Sequence, residues 1–162
     1  MIGAFWNVRG LNKEGQLQCI TDFVSDNKLD FVGFQETKKE SFSYSFLNYI
    51  HKYFTWKALP TVGTAGGILV GVNTNKFEVL SWQIGSYSLA AMIKNDSDKF
   101  VWRLVVVYGS PYEEGKLEFL QELEGLLDNW EGPTVIGGDF NIVSNIKEKS
   151  NGNINQKWAD FV

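Results

Sequence analysis

The sequence predicts a single α/β domain that spans residues 1–162. Two strand–helix–strand patterns, one near each end of the chain, indicate parallel strands joined by helices. Between them, five apolar runs separated by turn residues indicate antiparallel strands. A chain of 162 residues, 44% of them hydrophobic, can also bury a sizeable core.

Composition excludes several classes of protein. The net charge of −4 argues against a basic protein that wraps nucleic acid. It does not exclude a phosphate substrate, because a divalent cation can neutralise both the acidic residues of a site and the phosphate. Cys19 is the sole cysteine, which excludes disulfide frameworks and favours a reducing, intracellular location. No secretory signal is recognised, and the longest uncharged run, residues 58–75, is interrupted by Pro60 and several glycines. We therefore expect no membrane partner, and the oligomeric state stays open.

The first unit begins with an apolar strand over residues 2–6, expected to be buried on both faces and followed by Asn7. A helix is predicted over residues 13–27. Its apolar face contains Leu17, Ile20, Phe23 and Val24. A second strand over residues 29–34 leads into Gln35 and Glu36. Because a strand–helix–strand crossover makes the two strands parallel, Asn7 and Glu36 are expected at the same edge of the sheet.

The middle of the chain is predicted to be an antiparallel meander, preceded by an aromatic-rich helix over residues 42–53. Five consecutive strands are expected, over residues 55–59, 67–72, 78–84, 89–94 and 100–107. Residues 95–99 join the last two strands as a hairpin.

The second unit starts where the last of these strands reaches Tyr108 and a turn over residues 108–112. A helix follows over residues 113–130. Its predicted buried stripe is Leu117, Leu120, Leu123, Leu127 and Trp130. A buried strand over residues 134–138 then ends in Asp139, which places Tyr108 and Asp139 at one sheet edge. A loop is expected over residues 146–156 and the start of a helix over residues 157–162.

Four strand ends therefore direct polar side chains toward one crevice. Glu36 and Asp139 supply two carboxylates from separate strands, which suits a hard cation such as Mg²⁺. The amides of Asn7 and Asn141 can orient a carboxylate or a phosphate oxygen, and the Tyr108 hydroxyl can donate to phosphate. Taken singly, Asn7 is more typical of a turn, Glu36 of a solvated strand end and Tyr108 of the aromatic edge of a core. Together they predict metal-assisted phosphoryl transfer.

Basic residues lie beside this crevice in the sequence. Arg9, Lys38 and Lys39 can contact phosphate, although a solvated basic surface explains the lysines as well. His51 is interpreted as a partly buried surface histidine and not as a base. The motifs of P-loop NTPases, α/β-hydrolases and zincins do not occur.

Four motifs, in this order, resemble those of the endonuclease/exonuclease/phosphatase superfamily. They are Phe5-Trp6-Asn7-Val8-Arg9-Gly10-Leu11, Gln35-Glu36-Thr37-Lys38, Val107-Tyr108-Gly109 and Gly137-Gly138-Asp139-Phe140-Asn141. The Asn-x-Arg-Gly-Leu opening and the run Gly66-Gly67-Ile68-Leu69 are similar to the apurinic-type endonuclease domain of plant LINE (non-LTR) retrotransposons.

The resemblance implies a four-layer α/β sandwich of the DNase I-like type that hydrolyses phosphodiesters with Mg²⁺ or Mn²⁺. It implies that Glu36 is the metal ligand, with Asn7 beside it, and that Tyr108 positions the scissile phosphate. Asp139 would orient or deprotonate the attacking water, and Asn141 would stabilise the transition-state phosphate. The implied partner is DNA, nicked in the nucleus to prime reverse transcription.

The sequence departs from this family in one respect. Members finish in a Ser-Asp-His motif, and these 162 residues contain none. We therefore expect a domain without its C-terminal part, a short second sheet, and weak or absent nuclease activity. Two alternatives stay open. One is a non-enzymatic retrotransposon remnant that binds divalent ions or nucleic acid, and the other is a phosphatase of the same superfamily.

Overall fold

The computed structural model describes residues 1–61 and 66–142. The elements in chain order are β1 Gly3–Asn7, α1 Gln16–Asp26, β2 Phe31–Gln35, α2 Tyr44–Ile50, β3 Phe54–Leu59, β4 Ile68–Asn73, β5 Phe77–Ile84, β6 Ser88–Asn95, β7 Val101–Tyr108, α3 Glu113–Asp128 and β8 Thr134–Asp139. Each predicted strand and helix within these residues is present, with ends that differ by a few residues. The loop and helix predicted over residues 146–162 lie outside the described residues.

The eight strands form two four-stranded sheets, with strand orders β1-β2-β4-β3 and β5-β6-β7-β8. The pairs β1–β2 and β7–β8 are parallel, as both strand–helix–strand units predict, and the other pairs are antiparallel. The single meander predicted for the middle of the chain is wrong, because β4 and β5 belong to different sheets. Apolar alternation identifies strands but not their partners, so the change of sheet near Asn75 has no local signal.

The two sheets and three helices stack as four layers, in the order helices α1 and α2, first sheet, second sheet, helix α3. Three apolar cores separate these layers. The central core, between the sheets, contains Phe31, Ile68, Val70, Leu89, Ile93, Trp102, Leu104 and Val106. Because β2 lies in the middle of this sandwich, all five of its residues are buried. The predicted α/β sandwich is thereby confirmed.

The two strands that begin and end the described fold are less buried than expected. In β1 Gly3 is exposed and the other four residues are half-buried, and all six residues of β8 are half-buried. Each strand is the outermost of its sheet in the described part of the chain. Edge strands have a neighbour on one side only, which leaves part of their surface uncovered.

Helix α3 buries only part of the predicted stripe, because Leu120 is buried and Leu123 packs against the same core, whereas the other two leucines are exposed. Leu117 and Leu127 are 46% and 48% exposed, whereas Phe119 and Leu126 are buried. Phe119 packs on the second sheet among Ala90, Val105 and Val107. A leucine-rich helix offers more than one apolar stripe, and here the position of Phe119 decides which stripe faces the sheet. In α1, by contrast, the predicted face is correct, since Ile20 and Val24 are fully buried.

Two glycines let the sheets approach closely beneath the polar strand ends. A Cβ atom on Gly137 would lie 2.4 Å from the ring of Phe5, and one on Gly33 would lie 2.7 Å from Val106. The Gly137 contact brings β8 against β1, and the Gly33 contact brings β2 against β7. The carboxyl ends of the two parallel pairs therefore lie side by side. No helix in the described ranges is long and apolar enough to cross a bilayer.

Candidate active site

Seven of the eight residues singled out in the sequence line one crevice of about 420 Å³ at the carboxyl ends of β1, β2, β7 and β8, whereas Lys39 does not line it. The seven are Asn7, Arg9, Glu36, Lys38, Tyr108, Asp139 and Asn141. The strand register explains this convergence, because Asn7 is opposite Gln35 in one parallel pair and Tyr108 is opposite Asp139 in the other.

A chain of hydrogen bonds joins the two sheets across this crevice. The Nδ2 of Asn7 donates to Oδ2 of Asp139 at 2.9 Å, and the backbone N–H of Asn141 donates to Oδ1 of Asp139 at 3.0 Å. The backbone N–H of Arg9 donates to Oδ1 of Asn7 at 3.1 Å. Each Asp139 oxygen thus accepts one hydrogen bond, which fixes the orientation of the carboxylate and leaves lone pairs for a further donor.

Asn141 is held from two more directions. Its Nδ2 donates to the carbonyl of Gly109 at 2.6 Å, and the Nζ of Lys116 donates to its carbonyl at 2.6 Å. Lys116 thus brings a cation from α3 to the backbone of Asn141, a residue that lines the crevice. Sequence reasoning missed this residue because a lysine on a helix usually belongs to the solvated face.

Glu36 follows directly after β2. Its side chain is 19% exposed and pairs with the Nζ of Lys38 at 3.1 Å, and its backbone carbonyl accepts the N–H of Gly10 at 2.7 Å. The lysine side chain is 42% exposed, so this pair faces solvent and is weak. Lys38 therefore neutralises the charge of Glu36, and another cation can replace Lys38 at a small cost in free energy.

Tyr108 lines the crevice together with the two carboxylates. Burial raises the pKa of its phenol, the charges of Glu36 and Asp139 raise it further, and a hydrogen bond with Asn141 acts in the opposite direction. Because the net pKa is above the usual value of 10, the phenol is neutral at physiological pH. Tyr108 is thus available as a hydrogen-bond donor to an anionic ligand.

The backbone at this site is strained. Within residues 1–61 and 66–142, six residues other than glycine have a positive φ. Four of them line the crevice, namely Arg9 (54°), Glu36 (56°), Lys38 (54°) and Asn141 (53°). Left-handed conformations of such residues persist only where surrounding contacts impose them, and they cluster at functional sites.

The donor atoms at the crevice are oxygens of carboxylates and amides, which is the set that a hard cation takes. Mg²⁺ is commonly bound by one or two carboxylates together with waters and substrate oxygens, and Glu36 and Asp139 fit that pattern. Among the described residues, no cluster of three or more His, Cys, Asp or Glu forms a metal site. His51 lies away from the crevice, where its ring stacks on Phe54 at a centroid distance of 4.2 Å.

A sequence model of the endonuclease/exonuclease/phosphatase family matches residues 4–161. No curated protein matches the sequence. Many solved structures share the fold. An endonuclease/exonuclease/phosphatase from Bacteroides vulgatus is 17% identical, with a TM-score of 0.67 over 91% of this chain and 70% of that one.

Two further similar structures carry different functional descriptions. The mannosyl-6-phosphatase of Bacteroides thetaiotaomicron is 15% identical, with a TM-score of 0.68 over 99% of this chain and 69% of that one. D. rerio TDP2, solved with a single-strand DNA product, is 17% identical, with a TM-score of 0.63 over 86% of this chain and 60% of that one. The chain therefore spans between 60% and 70% of the length of these three proteins.

Proposed function

The chain belongs to the endonuclease/exonuclease/phosphatase family, and we propose that it provides the Mg²⁺- or Mn²⁺-dependent phosphodiester-hydrolysing site of a DNA endonuclease. The observation that carries this proposal is the crevice in which Glu36, Tyr108 and Asp139 meet at the ends of two sheets. Two carboxylates, a neutral phenol and fixed amides are the groups that hydrolysis of a phosphodiester needs.

Each residue has a role that its contacts support. Glu36 would hold the cation, since Lys38 is its only ion-pair partner among the described residues, and Asn7 lies beside it. When bound, Mg²⁺ or Mn²⁺ would neutralise phosphate charge and promote ionisation of water. Asp139, fixed by Asn7 and Asn141, can accept a proton from the attacking water.

The remaining groups act on the phosphate. The neutral phenol of Tyr108 can donate its O–H to a non-bridging phosphate oxygen. Asn141 is held next to it by Gly109 and Lys116, so its position does not have to be organised when the substrate binds. Arg9, at the rim of the crevice, can contact a neighbouring phosphate of the backbone.

We further propose that this site comes from a plant LINE-type retrotransposon, which the Asn-x-Arg-Gly-Leu opening and the Gly66-Gly67-Ile68-Leu69 run support. An element of this kind acts on chromosomal DNA, so the proposed location is the nucleus. The 162 residues contain no Ser-Asp-His sequence, and we expect this polypeptide by itself to nick DNA slowly.

Nicking of supercoiled plasmid DNA in the presence of Mg²⁺ or Mn²⁺ tests the proposal. Slow, metal-dependent nicking is expected, and Glu36→Gln and Asp139→Asn should each reduce it by about 10² or more. Glu40→Gln is the matched control, because Glu40 is an exposed glutamate four residues from Glu36. Nicking that survives both site variants would refute the assignment of these residues.

The phosphatase alternative is supported by the solved phosphatase that shares this fold. It predicts that p-nitrophenyl phosphate is hydrolysed, that plasmid DNA stays intact, and that the same two variants abolish the reaction. The non-enzymatic alternative predicts that Mg²⁺ raises the Tm of the wild type but not of Glu36→Gln, with neither substrate consumed.

A further inference from the structure

A second, smaller cavity adjoins the crevice. Its volume is about 220 Å³, and it shares Tyr108, Pro111 and Tyr112 with the crevice. Its other walls include Leu59, Pro60 and Tyr87. Three tyrosines and two prolines therefore line a compartment whose surface is mostly apolar, directly beside the groups proposed to bind phosphate.

The walls of this compartment are fixed before any ligand arrives. The carboxylate of Glu122, on α3, accepts the backbone N–H groups of Ser86 and Tyr87 at 2.6 and 2.9 Å and the hydroxyl of Ser88 at 2.8 Å. The ring of Tyr87 packs edge-on against Phe119 at a centroid distance of 5.8 Å. The turn between β5 and β6 is thus held against α3.

The opposite wall is also ordered by its own contacts. The hydroxyl of Ser110 accepts the backbone N–H of Tyr112 at 3.1 Å and donates to its carbonyl at 3.0 Å. The backbone of Gly66 approaches the ring of Tyr108, since a Cβ atom there would lie 3.8 Å from the ring carbons. Tyr112 itself is 59% exposed, so its ring is accessible to a ligand.

Size and chemistry limit what can enter. A volume of 220 Å³ equals about seven water molecules at ~30 Å³ each, and it is below the ~300 Å³ at which pockets for drug-sized ligands begin. The compartment therefore suits one planar ring system. Aromatic and proline walls recognise such a ring by stacking, which tolerates any base because every base has a π-face.

We propose that this compartment, formed by Leu59, Pro60, Tyr87, Tyr108, Pro111 and Tyr112, binds one unpaired nucleobase next to the phosphodiester held in the crevice. The inference rests on the proposed function, because it takes the crevice as the phosphate site. A base within a duplex is stacked and paired, so it reaches such a compartment only after it leaves the helix. Single strands, bulges and frayed ends are then preferred over fully paired DNA.

Equilibrium binding of fluorescent oligonucleotides to the 162-residue chain tests this inference. Phosphorothioate linkages prevent cleavage, and Mg²⁺ is present throughout. Three ligands are compared, namely a single strand, the same backbone with abasic sites throughout, and the fully paired duplex. The single strand should bind at least about fivefold tighter than the abasic backbone, since stacking of one base contributes that much or more. It should also bind tighter than the duplex.

Two variants examine the walls independently. Tyr112→Ala should remove most of the advantage of the single strand over the abasic backbone, and Tyr112→Phe should retain it. Ser86→Trp should also remove it, because an indole on this exposed lining position fills the cavity. Tyr44→Ala is the matched control, as Tyr44 lies on α2 and is 83% exposed.

The possible failures are distinguishable. Equal binding of the single strand and the abasic backbone would overturn the base site and leave the phosphodiester site intact. If Tyr112→Ala and Ser86→Trp both still bind the single strand more tightly than the abasic backbone, bases are recognised elsewhere on the protein. That result would overturn the inference. If no DNA binds, the abasic backbone included, the proposed DNA substrate fails and this inference fails with it.

Discussion

Replacing Asn7 by aspartate puts a second carboxylate against Asp139, where the Asn7 Nδ2 now donates to Oδ2 at 2.9 Å. The substitution removes a hydrogen bond to a charged group, worth about 1.5–3 kcal/mol. It also adds a repulsion of about 4 kcal/mol for two unit charges ~4 Å apart at an effective dielectric constant of ~20. The total loss of stability cannot exceed about 4 kcal/mol, because the pair can take up one proton instead of repelling. Protonating an ordinary carboxyl group at pH 7 costs about that much free energy. We expect Asn7→Asp to lower the unfolding free energy by about 3–4 kcal/mol at pH 7.

The pH dependence of this loss identifies its cause. At acidic pH the two carboxyl groups share a proton that replaces the lost amide donor, so Asn7→Asp should approach wild-type stability. As the pH rises the shared proton is lost and the penalty grows. Asn7→Ala lacks only the hydrogen bond, so its smaller penalty of about 1.5–3 kcal/mol should not grow as the pH rises.

Urea denaturation of both variants between pH 4 and 8, with EDTA or with Mg²⁺, measures these effects. Mg²⁺ should stabilise Asn7→Asp more than the wild type, because two adjacent carboxylates bind the cation more tightly. Asn75→Asp, at an exposed position in the turn between β4 and β5, is the control for an added charge. A penalty for Asn7→Asp that is independent of pH and unaffected by Mg²⁺ would refute the assignment of this edge as a cation site.

Two further predictions concern stability. Burial, and then the charge of Lys52, lowers the pKa of His51, which is the only histidine. The unfolded chain therefore binds the proton first, and the unfolding free energy should fall as the pH drops below about 6.5, a slope that should be absent in His51→Gln. Gly67 has a φ of 96°, and a Cβ there would lie 2.3 Å from the hydroxyl oxygen of Thr37. Gly67→Ala should cost about 2–4 kcal/mol in urea titrations, whereas Gly125→Ala, with nothing near its Cβ, should stabilise α3 by about 0.5–1 kcal/mol. Equal effects of the two glycine substitutions would contradict the packing described around Thr37.

The sequence predicts the local part of this fold well and the global part incompletely. Hydrophobic periodicity locates the strands, and each strand–helix–strand unit implies a parallel pair, as the structure confirms. The family resemblance implied two sheets, but the assignment of strands to each sheet was not predicted, because nothing local distinguishes the turn near Asn75, which changes sheet, from an ordinary hairpin. The buried face of α3 was predicted only in part, since Leu120 is buried as predicted but the choice between Leu117 and Phe119 depends on the side chains of the opposing sheet.

The residues of the candidate site were predicted from the sequence more completely than the fold around them. Asn7, Glu36, Tyr108 and Asp139 each follow or end a strand, and two parallel pairs suffice to place them at sheet edges. That the two edges meet depends on Gly33 and Gly137, whose close contacts with the facing sheet become visible only in three dimensions. Lys116 and Tyr112 were not predicted as site residues, because nothing in their sequence context separates them from solvated positions.

The strained backbone of the crevice connects the fold with the candidate site. Four residues with positive φ cannot be recognised from sequence, because none is a glycine. Their conformations are imposed by neighbours: the Glu36 carbonyl accepts the N–H of Gly10, the Lys38 N–H donates to the carbonyl of Gly66, and the Asn141 N–H donates to Asp139. Each conformation costs about 1–3 kcal/mol, although Lys28 and Lys99, away from the crevice, adopt it as well. Four of the six such residues nevertheless lie in this one crevice, and their concentration there supports a functional crevice independently of the motifs.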